Sequence, residues 1–201
     1  MTSTPGTVKV QPTRQKIHQA FLALYAQKPI NLISIKELTY AAGINRGTFY
    51  LHYFDLPDLI DSLEREHLAA LASKMENFPD LLYVADDSEA LAQFFVPVLK
   101  YIETNKTTFQ VLLSMHSRPN FRQELHVQMR RNLMLRVQKG KREGDSKTGM
   151  QQQLVLEYII SANLGVIIHW ILAETRLSAE DVTSILSKIS LHGPFQLLSA
   201  S

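Results

Sequence analysis

Ser34, Lys36, Asn45, Arg46, Gly47, Thr48, Tyr50 and His52 fall within one short stretch, and all but Gly47 carry a side-chain hydrogen-bond donor. The chemistry open to such a set is recognition of an acceptor-rich partner. Arg46 offers a planar fork that fits a guanine edge or a phosphate. Thr48 supplies a short hydroxyl, and Gly47 lets a backbone approach closely. Bond-breaking chemistry finds little support elsewhere. The chain has no cysteine, which excludes disulfides, thiol catalysis and cysteine metal sites and makes a reducing cytoplasm the expected compartment. Seven histidines are scattered, and no His-Glu-x-x-His spacing occurs. Glu64 and His67 lie three apart on a predicted helix, and a single such pair reads as a surface contact. There is no phosphate-cradling glycine loop and no Gly-x-Ser-x-Gly elbow. No catalytic residue, metal site or cofactor is expected, and the chain reads as a non-enzyme.

The donors need a rigid frame, and residues 34–55 supply its signals. Ser34 can accept from the amide of Glu37 while Glu37 reaches back to the amide of Ser34, a capping box that starts a helix. Ile35, Leu38 and Ala42 follow on one face. Gly43 ends the helix where a left-handed residue is wanted. Ile44 packs inward, and Asn45 caps a second helix whose first residues face outward. Two short helices and a tight turn have the geometry of a helix-turn-helix, whose second helix presents its N-terminal residues to base edges. From spacing alone, the segment could equally be a common packing unit.

The run Gly47-Thr48-Phe49-Tyr50-Leu51-His52-Tyr53-Phe54 resembles the Gly-Thr-hydrophobic-Tyr-x-His-Phe signature of TetR/AcrR transcriptional regulators, with the match specific over residues 13–60. The resemblance implies that Tyr50 and His52 approach phosphates and that Phe49 and Tyr53 lock the recognition helix to its neighbours. It implies double-stranded operator DNA as partner, Arg46 and Thr48 as base readers, and repression relieved by an effector. Leu56 stands where the family usually has a phosphate-contacting lysine, so one such contact is expected to be missing, with weaker or less salt-dependent binding.

Around this segment, the periodicity predicts an all-α protein of about nine helices. Residues 1–12 read as a loose arm. Thr13 is expected to cap a first helix over 14–27, completing a three-helix DNA-binding domain over 13–55. A long helix over 57–77 opens a larger domain, 56–201, with further helices at 87–104, 106–115, 119–139, 148–173 and 179–191. Net charge is only +2, but residues 1–55 carry six cations against Glu37 and Asp55, leaving −2 for the remainder. A basic head on a mildly acidic body fits a nucleic-acid reader with an effector domain. No stretch of about 18 uncharged apolar residues occurs, and the run from Leu164 to Ala173 is short and contains His169, so no membrane span is expected.

The larger domain offers two more sets of residues. Phe94, Phe95, Tyr101, Phe109, Met115, His116, Phe121, Tyr158, His169 and Trp170 could line a mostly apolar pocket with polar anchors, although aromatics at helical spacing are usually core. His169 and Trp170 are adjacent and point about 100° apart on a helix, so they cannot both face one cavity squarely. Tyr158, Ser161, Ala162, Gly165, Ile168 and Leu172, with Ile185, Leu186 and Ile189 on the last helix, form the other set. Small residues one turn apart permit close helix packing. The family resemblance implies a homodimer through a four-helix bundle of these two helices, and a near-palindromic operator. The region from Phe109 through Trp170 also resembles a subgroup that regulates dihydroxyacetone kinase genes and answers to a protein co-regulator, so a small-molecule effector and a protein partner both stay open, as does activation in place of repression.

Overall fold

A computed structural model describes residues 10–76, 88–114, 120–138, 146–173 and 175–193. Every regular element among them is helical. In chain order these are α1 (Val10–Tyr25), a 3-10 turn (Ile30–Leu32), α2 (Ile35–Ala41), α3 (Arg46–Tyr50), α4 (Leu56–Met75), α5 (Ser88–Thr104), α6 (Lys106–Leu112), α7 (Asn120–Gln138), α8 (Ser146–Leu172) and α9 (Ala179–His192). That is nine α-helices among the described residues, the all-α architecture expected. The first helix begins at Val10, not after Thr13, because Pro12 is tolerated in a first turn where its missing N–H has no partner to lose. Residues 10–12 of the expected arm are therefore helical, and residues 1–9 lie outside the described set.

The described residues fall into two compact units: 10–67 with 111–114, and 68–110 with those from 120 onward. In the first, Ile17, Phe21 and Tyr25 of α1, Leu38 of α2, Phe49 of α3 and Leu59 of α4 are buried. Phe21 and Tyr25 stack with ring centroids 5.1 Å apart. In the second, α9 lies mainly along α5, and α7 pairs with α8. Leu133, Leu156 and Ile160 form the α7–α8 seam, with Met129, Met134 and Ile159 packed against it. Polar ties fix these helices. Gln110 Nε2 donates to the Ile171 carbonyl (2.9 Å), Gln128 Nε2 to that of Leu68 (2.7 Å), and Glu103 accepts from the Ala179 amide at the start of α9 (2.9 Å).

Two expectations need correction here. Glu64 and His67 are buried, not surface residues, because their side of α4 faces the interior. Among the described residues no three metal-ligating side chains gather. Helix α8 contains a stretch, Gly149–Leu172, long and apolar enough to cross a membrane, of which only 33% is buried. The sequence alone marks only the run from Leu164 to Ala173, interrupted by His169, whereas a continuous helix carries isolated polar residues within an apolar average.

Candidate nucleic-acid interface

Each joint of the helix pair is made by the residues that signalled it. Ser34 Oγ accepts from the Glu37 amide at 3.1 Å. The reciprocal half of the expected box is not among the hydrogen bonds formed at this cap; Lys28 Nζ holds both Glu37 oxygens at 2.8 Å instead. That hydrogen bond pulls the Glu37 carboxyl below its ordinary value, with the Ser34 amide a lesser contributor. Thr39 turns its hydroxyl back to the Ile35 carbonyl (2.8 Å), so its buried oxygen is satisfied. At the far end Gly43 adopts φ +64°, its amide donating to Tyr40 (3.1 Å) while the Ile44 amide reaches Thr39 (3.0 Å). This pair of bonds is a Schellman closure, and a residue with a Cβ would be strained there.

Asn45 then caps α3, its Oδ1 accepting from the Thr48 amide at 2.7 Å and the Thr48 hydroxyl at 2.9 Å. Gly47 has a role the sequence reading did not give it, since a Cβ there would meet that capping oxygen at 3.3 Å. Phe49 is the buried pivot of the helix. Asn45, Arg46 and Gly47 are exposed, Tyr50 is 51% exposed and stands edge-on to Phe49, and Thr48 is only partly exposed. Lys36 and Tyr40 are exposed on α2. Among the described residues neither Lys36 nor Arg46 enters an ion pair. Ser34, Lys36, Glu37, Thr39, Tyr40, Ile44, Asn45 and Arg46 line one open cleft of about 470 Å³ between the two helices. Four of the eight expected residues, Ser34, Lys36, Asn45 and Arg46, line this cleft, while Gly47 and Tyr50 are exposed on α3 outside its lining. His52 is only partly exposed, beside Tyr53.

Beyond α3 the chain is fastened by further side-chain contacts. The Phe54 amide donates to Asp58 (2.9 Å), and the Asp58 amide to Asp55 (2.7 Å), which seats α4 against the exit of α3. Leu56 is buried in the first turn of α4, so it serves the core. Tyr53 Oη lies 2.7 Å from His18 Nε2 and accepts from Arg14 Nε at 3.1 Å. Arg14 also reaches Ser62 and Glu66 at 3.5 Å.

In the second unit, Tyr101, Phe109 and Phe121 form a chain of rings with centroids 6.1 and 6.0 Å apart, and Lys74 Nζ sits 5.1 Å from the Tyr101 ring. Phe95 is buried against Phe94, and Trp170 is buried with its indole N–H donating to Leu177 (2.8 Å). Tyr158 and His169 are exposed on α8 and do not join this cluster. Met115 and His116 lie outside the described residues. Of the expected dimer set, Tyr158, Ser161, Gly165 and Leu172 are exposed, while Ala162, Ile168, Ile185 and Ile189 are half-buried.

Comparison with known proteins agrees with this architecture. Residues 89–192, half the chain, match the TetR-type family described as "Transcriptional regulator C-terminal region". A 55-residue segment is 36% identical to the HTH-type transcriptional regulator AcrR of Shigella flexneri, and covers 27% of this chain and 26% of that protein, about a quarter of its length. The solved dihydroxyacetone kinase operon activator DhaS superposes with a TM-score of 0.58 at 20% identity, over 89% of this chain and 94% of its own. The fatty acid degradation regulator FadR of Bacillus halodurans superposes with a TM-score of 0.63 at 16% identity, over 96% and 98%. At these identities the solved structures share the fold. With a family match over half its length and a helix-turn-helix in its first unit, the chain belongs to the TetR family of transcriptional regulators.

Proposed function

We propose that this protein binds a near-palindromic operator as a homodimer in the cytoplasm and represses transcription until an effector binds in its larger domain. One observation supports the reading: a capped, glycine-closed helix pair on a buried aromatic pivot sets Lys36, Asn45 and Arg46 along one open cleft, with Gly47 and Tyr50 exposed on the same short helix. In this reading residues 13–55 form the DNA-binding domain and residues 56–201 the effector and dimerisation domain. Arg46 and Thr48 contact base edges, and Ser34, Lys36, Tyr50 and His52 contact backbone. Bases specify and phosphates position. Tyr101, Phe109 and Phe121, together with the buried Phe95 and Trp170, are the candidate lining for a small molecule. Release requires the effector to bind one dimer geometry better than the other, typically by about 1–3 kcal/mol of coupling. The exposed apolar face of α8 is covered by the second copy, not by lipid.

Selection of bound sequences from random duplex DNA at two salt concentrations tests the reading. A palindromic consensus whose enrichment weakens with salt is the expected result. Absence of enrichment at both salts would overturn operator binding by the protein alone and put the protein co-regulator first.

A further inference from the structure

The hydroxyl of Tyr53 has a single proton to donate and can accept two. Arg14 cannot accept, so it occupies Oη as a donor at 3.1 Å. With Arg14 filling one acceptor site, the Tyr53 proton finds a partner when His18 Nε2, at 2.7 Å, accepts it, which is the arrangement of a neutral His18 with its own proton on Nδ1. If His18 gains a proton, Nε2 becomes a donor, Oη can only accept from both neighbours, and the Tyr53 proton loses its acceptor. We propose that this Arg14–Tyr53–His18 relay couples DNA affinity to the protonation of His18, with neutral His18 holding the recognition helix in place. The inference rests on the reading of α3 as the DNA-contacting helix.

The geometry links three elements. His18 and Arg14 stand on α1, Tyr53 closes the exit of α3 with its ring against Phe49 (5.9 Å), and Glu66 reaches in from α4. Charged and titratable groups face His18 from each of them. Burial lowers its pKa most; Glu66 on α4 acts to raise it, while Arg14 on α1 and His67 on α4 lower it further. His52 and Asp58 flank Tyr53, whose own pKa burial raises, so its proton stays available to donate. The sign follows. A depressed imidazole value means the anchor is complete above the ordinary value near 6.5 and is lost as pH falls through the lower folded value.

The test measures hydrogen exchange of the α3 and Leu51–Tyr53 amides in the full chain, corrected for intrinsic rates, at about pH 8 and about pH 5, either side of the ordinary imidazole value. Affinity for a selected duplex is measured alongside. Wild type should lose about three- to tenfold in protection at the lower pH, the equivalent of one ordinary hydrogen bond. His18→Gln keeps an oxygen acceptor for Tyr53 but cannot titrate, and should show no such loss. Tyr53→Phe keeps the ring and should be equally flat, with lower protection at both pH values. His67→Gln should retain the loss of protection at low pH, with its midpoint moved to higher pH because His67 no longer lowers the His18 value. A wild-type pH dependence that survives in His18→Gln, or a wild type with none, overturns the relay. If Tyr53→Phe does not fold, the His18→Gln comparison still decides. If wild type binds no duplex at the higher pH, the regulator reading fails, while the exchange data still judge the relay.

Discussion

Arg46 is the first residue of α3, exposed, and outside any ion pair among the described residues, so its fork is available to a partner. Arg46→Ala should weaken operator binding by about 1–3 kcal/mol and relax preference at one base pair, as read by titration of single-base operator variants. A uniform loss across variants would make it a backbone contact. Asn45 acts on the fold itself. Its side chain satisfies the Thr48 amide, and Asn45→Ala should lower stability of the folded protein by about 0.5–2 kcal/mol, seen as a lower Tm. Leu56 shows where position in a motif misleads. A lysine expected at a phosphate would here have to leave the core, because the Leu56 side chain points inward. Leu56→Lys is thus expected to lower Tm without steepening the salt dependence of binding.

Helix ends were the most legible elements, because capping is local chemistry. Ser34, Gly43 and Asn45 each sit within three residues of the groups they satisfy, and a sequence displays such pairs directly. Helix α5 runs through Pro97, whose side is exposed, and its apolar period still placed it. What was not legible joins residues distant in sequence: Lys28 to Glu37, and Tyr53 to Arg14 and His18. On α8 an apolar composition on several faces left the period unable to separate inward from outward, and so Tyr158 and His169 were grouped with buried rings. Helix α9 carries a full capping box, in which Ser178 accepts from Asp181 (3.2 Å) while the Asp181 carboxylate accepts from the Ser178 amide (2.8 Å). Those backbone and hydroxyl hydrogen bonds from Ser178 hold the Asp181 carboxyl below 3.8, its ordinary value. The stabilisation is therefore present above that value and lost as pH falls through the lower folded one. Ser178→Ala should cost about 0.5–2 kcal/mol at neutral pH. Thermal melts should show that penalty shrinking in acid, where Asp181 is protonated in both proteins.

At the scale of the molecule, the unsolved contact is on α8. Met150, Leu154, Tyr158 and Leu172 are 68%, 67%, 60% and 42% exposed and recur near helical spacing, with exposed Ser161 and Gly165 between them. A contiguous apolar stripe of this kind is a surface awaiting a partner. Its small central residues suit a second helix at short distance better than lipid, against which bulk would be no handicap. Gly165 separates folding from assembly. Built on its backbone, a Cβ meets nothing within 4 Å in the single chain. Gly165→Leu should therefore leave the fold intact, and the gain in helix propensity, about 0.8–1 kcal/mol, should if anything raise the stability of one chain. Across a two-fold axis the same side chain would be duplicated and would force the helices apart. Sedimentation should then show a dimer for wild type and a monomer for Gly165→Leu with unchanged helical circular dichroism. Operator affinity should fall with it, since a single head reads only one half-site. A variant that stays dimeric would mean that α8 is covered by something other than its own copy.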